Sequence, residues 1–389
     1  MKAPLPTFDP VQLTSAESPW ALTVAARDTL LLAPYAMHSA DSAGRKYPEP
    51  VHPYRGPFQR DRDRIVHSAA YRRLSGKTQV FTGELGDYHR TRLTHTIEVA
   101  SLARTLARAL RLNEDLVEAL AMMHDIGHPP FGHAGEDVLD ECLHKCGGFS
   151  HNGHTLRIVE ELEQRYPDFP GLNLSHEVLE GQRYRMQKKS QTARPILEVQ
   201  VVDAADSVAY DAHDADDALE LKLLTLGDLA ETPLWRDVAA GVRARYQGLT
   251  ERELKRAIVH ELLVRQINDF LSHTIARLNA EQPEHAAATR QLPWLVAPGA
   301  ELAAQKAELE RFLYERVYRH PKVLRVRERA QEELRIMFDG YVARPELMPA
   351  GFRSRIARDG LERTVGDFLA GMTDRYARQK FRKHFAHQG

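Results

Sequence analysis

Cysteine is nearly missing from this chain of 389 residues, with Cys142 and Cys146 the only two. A chain of this length can bury a core without disulfides, so their scarcity points to a reducing, cytoplasmic setting. No apolar run approaches the length of a membrane-spanning helix, and the opening MKAPLPTFDP lacks the apolar stretch of a signal peptide. An excess of one charge is also absent. The formal net charge of -1 excludes a globally basic nucleic-acid binder while leaving room for local basic patches. No repeat of 20–50 residues marks a solenoid. What remains is a globular chain whose chemistry has to be read from its motifs.

Residues 1–57 read as an irregular arm, because HSADSAGRKYPEPVHPYRGP is dense in Ser, Gly and Pro and has no apolar period. Helical periodicity begins near RDRDRIVHSAAYRRL and persists almost to the end. The expected architecture is therefore all-α, mostly helical, with a core over 58–225 and a further helical region over 226–389. Strand signal is confined to TQVFTG and to segments near 183–194. In 95–111, Val99, Ala103, Leu106 and Leu110 recur at helical steps while Arg104, Arg108 and Arg111 turn away. A second helix follows Asn113 as N-cap and must stop at Gly127, Pro129 and Pro130, which places His124 and Asp125 in its last turn. A third begins after Pro195.

That third helix carries the sharpest cost. Asp203, Asp206, Tyr210, Asp214 and Asp217 share one face, and Asp206 lies among Ala204, Ala205, Val208 and Ala209. An ionised carboxylate in such surroundings needs a cationic partner or takes up a proton. The bland reading, a solvated acidic face, fits Asp214 to Asp217 better than Asp206. A divalent metal would satisfy Asp206, with His95, His124 and Asp125 as co-ligands. Two imidazoles and two carboxylates suit Mg²⁺, Mn²⁺, Fe²⁺, Co²⁺ or Ni²⁺, whereas structural zinc would favour thiolates. A bare His-Asp dipeptide is weak evidence, as the second one at His213 and Asp214 shows. The weight lies in the order H…HD…D across three helices.

These motifs resemble those of the HD-domain phosphohydrolases. HDIGHPPFGHAGE, together with YRRLSGKTQVF, RTRLTHTIEV and GLNLSHEVLEG, is similar to the bacterial dGTP triphosphohydrolase family. The resemblance covers roughly residues 35–225 strongly and the C-terminal part more weakly. It implies hydrolysis of a deoxynucleoside triphosphate to the deoxynucleoside and inorganic tripolyphosphate, with His95, His124, Asp125 and Asp206 holding one divalent ion, Mn²⁺ or Mg²⁺ first. His133, oriented by Glu136, is assigned to proton transfer and His128 to the phosphates, where the alternative is a pair of helix-end hydrogen bonds. The resemblance further places Arg92 on the phosphates, His151 at the substrate with His154 as its rival, Gln79 on the sugar 3′-hydroxyl, and Tyr210 and Asp214 against the deoxyribose. It also implies a homo-oligomer, a hexamer or tetramer.

Two features are discounted. Cys142 and Cys146 at a helical step read as interior cysteines rather than zinc ligands. The basic stretch 182–194 and the tail RYARQKFRKHF read as charged surfaces, although in such a family they could bind a nucleotide effector or single-stranded DNA. Two other functions stay open: an HD phosphohydrolase acting on a monophosphate, cyclic nucleotide or alarmone, and a nucleotide- or DNA-binding regulator with a vestigial metal site. The base preference does not follow from these residues.

Overall fold

The computed structural model describes residues 22–52, 54–79, 90–187 and 194–386. The chain is all-α, and among the described residues extended pairing is limited to three isolated bridges. Helices α1 (Val24–Leu31), α2 (Pro57–Val66) and α3 (Ala69–Arg73) lead into α4 (Arg92–Ala109) and α5 (Glu114–Met123). Then come α6 (Gly132–Cys142), α7 (His151–Arg157), α8 (His176–Met186) and α9 (Leu197–Glu220). The C-terminal part adds α10 (Leu226–Leu229), α11 (Pro233–Arg245), α12 (Glu251–Glu281), α13 (Ala300–Leu313) and α14 (Pro321–Ala343). The short α15 (Ala350–Arg353) and α16 (Ile356–Asp359) precede α17 (Leu361–Ala370) and α18 (Asp374–His384).

Local chemistry sets the ends of the helices that matter. The Asn113 side chain accepts from Leu116 N–H, and Glu114 and Asp115 complement the helix dipole in the first turn of α5. At α4 the Thr91 side chain caps Thr94 N–H while the Thr94 hydroxyl caps Thr91 in return. The helix predicted from residue 95 thus starts one turn earlier and takes Arg92 inside. Within the arm expected over 1–57, the described residues hold α1, a 3₁₀ turn at Ser39–Asp41 and a bridge from Arg45 to Ser175, and α2 begins at Pro57. Of the segments with strand signal, Thr78 pairs with Thr91 and Arg183–Met186 belong to α8, while 80–89 and 188–193 lie outside the described residues.

Two apolar clusters organise the packing. The larger joins Val99, Ala103 and Leu106 of α4, Leu116, Leu120 and Met123 of α5, and Val202, Ala205 and Val208 of α9, and it extends to Ile258, Leu262 and Leu309. Each fully buried aliphatic side chain there contributes about 1.5–3 kcal/mol relative to exposure. The smaller joins Phe131, Val138 and Leu139 to Leu334, Met337 and Phe338 of α14 and Val365, Phe368 and Leu369 of α17. Cys142 and Cys146 pack against this second cluster as free thiols. The turn after α5 crosses from one cluster, through Ile126, to the other, through Phe131. No helix among the described residues is long and apolar enough to cross a membrane.

Candidate active site

The turn between α5 and α6 is held on three sides. Gly127 lies so close to α7 that a Cβ there would fall 2.1 Å from the His151 carbonyl oxygen, and its N–H donates to Thr155 Oγ1 at 3.0 Å. Only glycine permits that approach. Phe131 adopts a left-handed φ of 65°, unfavourable for a side chain of its size, and its N–H donates to Asp374 Oδ1 at 3.0 Å. Asp374 Oδ2 also accepts from Thr78 N at 3.1 Å and Oγ1 at 2.7 Å. Buried Lys77 donates to the carbonyls of His128 and Ala370. Burial, with Arg73 nearby, pushes the Lys77 ammonium down to about 7. The C-terminal helices therefore fix the backbone on which the histidines stand.

Helices α4, α5 and α9 bring His95, His124 and Asp206 together, with one donor atom from each lying within 4.8 Å of the others. His95 Nε2 is 3.1 Å from Asp206 Oδ1, and His124 Nε2 is 3.7 Å from the same oxygen. His124 Nδ1 lies 2.6 Å from the Ala121 carbonyl, so it carries the proton and leaves a lone pair on Nε2. That nitrogen is buried and has no hydrogen-bond partner among the described residues. A buried lone pair converging with a second imidazole and a carboxylate is a donor set that fits a divalent cation. Burial acts to raise the Asp206 pKa, but the adjoining His124 and His95 rings outweigh it and hold the carboxyl below its usual range.

Asp125 adjoins this group without joining its tightest part. Its Oδ1 is 3.5 Å from His124 Nε2 and 3.2 Å from His128 Nε2, while Oδ2 accepts from Arg92 at 2.9 Å. The adjacent His124 and Asp125 side chains can point to one place because α5 ends at Met123 with His124 as its cap. Arg92, buried, also donates to the Gln79 carbonyl at 3.2 Å. Gln79 Oε1 is buried and has no hydrogen-bond partner among the described residues.

Through Asp125 the first group meets a second. The His128 ring stacks on His151 with centroids 3.9 Å apart and planes 10° from parallel, and His133 lies edge-on to His128 at 5.4 Å. Glu136 accepts from His151 N at 2.8 Å, and its carboxylate lies 2.8 Å from His151 Nδ1 and 3.3 Å from His133 Nδ1. Burial, together with Arg92 and His151, holds His128 well below the usual histidine range, so it is neutral. His154, the rival of His151, is buried elsewhere, beside Phe149 and 3.7 Å from Asp367.

Farther along α9, Asp214 is buried and its Oδ2 accepts from the Tyr318 hydroxyl. Burial pushes this carboxyl up to about 7 against the lowering effect of that hydrogen bond. The rings of Tyr210 and Tyr318 lie 13° from parallel with centroids 6.4 Å apart. Sequence reasoning missed Tyr318, which closes a π-helical turn (Tyr314–Tyr318) in the C-terminal region. Such a turn often marks a functional position, but it is visible only in the folded chain and leaves no signal in the sequence. Reasoning from sequence also missed Arg185. Read as part of a solvated basic run, it is mostly buried and pairs with Asp203 at 2.6 Å, while Arg183 pairs with Glu160 at 2.5 Å.

Comparison with known proteins agrees with this geometry. Residues 92–211 match the HD domain, and residues 296–383 match the phosphohydrolase-associated domain. A deoxyguanosinetriphosphate triphosphohydrolase-like protein of Geobacter metallireducens is 41% identical over 368 residues, covering 91% of this chain and 95% of the relative. Proteins of the same description from Caulobacter sp. and Brucella ovis are each 44% identical, over 91% of this chain and 96% and 95% of their own lengths. The chain belongs to the family of deoxyguanosinetriphosphate triphosphohydrolase-like proteins and is an HD-domain phosphohydrolase.

Proposed function

We propose that this protein hydrolyses deoxynucleoside triphosphates to the deoxynucleoside and inorganic tripolyphosphate. The observation that carries this reading is the position of Asp125 Oδ1, between the His95, His124 and Asp206 group and the His128, His133, His151 and Glu136 group. One set suits a cation and the other suits proton transfer, and they are one carboxylate apart.

His95, His124, Asp125 and Asp206 would hold one divalent ion, Mn²⁺ or Mg²⁺ first, with Fe²⁺, Co²⁺ and Ni²⁺ accepted by the same donors. When bound, that ion supplies Lewis-acid stabilisation of charge developing on the phosphoryl oxygens. Arg92 brings a permanent positive charge to the phosphates, and its buried Nε has no hydrogen-bond partner among the described residues. His128 borders the same phosphates. Glu136 holds the Nδ1 side of His133, which leaves Nε2 as the nitrogen that passes a proton to the departing 5′-oxygen. His151, on the same carboxylate, braces the His128 ring by stacking.

Selectivity for a deoxy sugar rests on Tyr210, Asp214 and Tyr318. Asp214 and Gln79 Oε1 offer hydrogen-bonding groups to the sugar, and the Tyr210 ring occupies the volume of a 2′-hydroxyl. A long phosphate chain and a deoxyribose use all of these residues, whereas a monophosphate, cyclic nucleotide or alarmone would leave several without a role.

The test is to incubate the purified protein with each of the four dNTPs and with GTP, in Mg²⁺ and separately in Mn²⁺, and to identify products by ³¹P NMR. Tripolyphosphate from the deoxy substrates is expected. Pyrophosphate or orthophosphate as the first product would move the scissile bond and overturn the reading. Asp206→Ala is expected to abolish both metal binding and turnover.

A further inference from the structure

The nitrogen of His95 that faces away from Asp206 has a neighbour of its own. His95 Nδ1 lies 3.2 Å from His213 Nδ1, both rings are buried, and their planes stand 78° apart. His213 Nε2 in turn is 2.7 Å from Glu98 Oε2. Arg90 Nε donates to that same oxygen at 3.2 Å, and Arg90 Nη1 reaches Asp217 at 2.5 Å and the His213 carbonyl at 3.3 Å. Glu98 stands one turn after His95 on α4, and His213 stands two turns after Asp206 on α9. The same two helices thus bring together a metal-site pair and, behind it, a second pair.

Proton placement along this line is determined by its end. A carboxylate only accepts, so Glu98 requires a proton on His213 Nε2. Neutral His213 then offers a lone pair at Nδ1, which requires the proton of His95 to sit on Nδ1. With a cation held beside Asp206 and His124, His95 would then present its lone pair at Nε2. The opposite assignment sets a lone pair of His213 against the Glu98 carboxylate at 2.7 Å and puts a proton on the nitrogen that should bind a cation.

We propose that His213, held by Glu98, is the positioning residue that locks His95 in its metal-binding tautomer and orientation. The proposal rests on the metal role of His95 given above. It also gives a purpose to the histidine of the second His-Asp dipeptide, whose Asp214 the resemblance already placed at the sugar. Outer partners of ligating histidines typically change metal affinity by roughly 10–100-fold when removed.

The experiment measures Mn²⁺ binding to the metal-free protein by calorimetry and by EPR of free Mn²⁺, alongside the thermal midpoint of each variant. His213→Phe keeps a ring of similar size and removes the acceptor. It is expected to bind Mn²⁺ about 10–100-fold more weakly, while His213→Gln, whose amide can accept and donate at once, recovers most of the affinity. Glu98→Ala, at a half-exposed position that tolerates change, is expected to weaken binding several-fold in the same direction and stands in if the Phe variant fails to fold. Wild-type affinity in both His213→Phe and Glu98→Ala would overturn the proposal, as would equal loss in the Phe and Gln variants. Asp206→Ala separates the two levels of the argument. If wild type and Asp206→Ala bind Mn²⁺ alike, the metal reading itself fails and this proposal fails with it; if only Asp206→Ala loses binding, His213 alone is refuted.

Discussion

Glu136 holds two imidazoles on one carboxylate, His151 Nδ1 at 2.8 Å and His133 Nδ1 at 3.3 Å. Burial raises the pKa of this carboxyl, but the hydrogen bonds from His133 and His151 more than reverse that, so it stays ionised through the ordinary pH range. His133 is the solvent-facing member, and His151 lies against His128. His133→Ala is therefore expected to slow turnover by roughly 10²–10⁴-fold while leaving metal affinity unchanged, the range usual for losing a general acid or base. Glu136→Gln should lower kcat in the same direction by less. Single-turnover kinetics with Mn²⁺ titrations on the same samples check both, and a His133→Ala enzyme with full kcat would remove His133 from the chemistry.

The Tyr210 and Tyr318 rings bound the proposed sugar pocket, so truncating Tyr210 should open space for a 2′-hydroxyl. Tyr210→Ala is expected to narrow the ratio of kcat/KM for dGTP over GTP by about 10–100-fold, a steric effect of a few kcal/mol. The change should appear mainly as a gain for GTP. An unchanged ratio would mean that sugar selection lies elsewhere.

Asp214 yields a prediction about stability. Its carboxyl is pushed up to about 7 in the folded chain, above the ordinary value of about 4 for an unfolded aspartate. The folded state therefore retains a proton that the unfolded chain gives up. The resulting stabilisation is complete below the unfolded pKa and is lost as pH rises through 7. Asp211 and Asp217, pushed up to about 6, titrate earlier. Between pH 6 and 8 the metal-free wild type should consequently lose about 1 kcal/mol more than Asp214→Asn. Chemical denaturation at a series of pH values reads the difference, and parallel curves for the two proteins would contradict it.

The parts of this molecule that repeat at helical steps were legible in advance. Asn113, Pro195 and the Gly127 to Pro130 breaker located α5, α9 and the turn between α5 and α6 because capping and chain breaking are local effects. The H…HD…D order marked His95, His124 and Asp206, which the fold does gather. Helix α1 escaped notice because its apolar residues make no buried stripe. Leu30 and Leu31 are more than half exposed, and Asp28 is its one buried side chain. Tyr318, Lys77 and Asp374 were equally silent, since each acts on a segment far away in sequence and has no periodic partner. Arg185 looked like surface because its run is basic, yet Asp203 provides the buried charge that holds it.

The atom that water attacks distinguishes this reaction from its alternatives most directly. Hydrolysis of a dNTP in H₂¹⁸O, with mass analysis of both products, should place one ¹⁸O in the tripolyphosphate and none in the deoxynucleoside, because attack at the α-phosphorus breaks its bond to the 5′-oxygen. Label in the deoxynucleoside, or in orthophosphate or pyrophosphate released with a shorter nucleotide left behind, would contradict it.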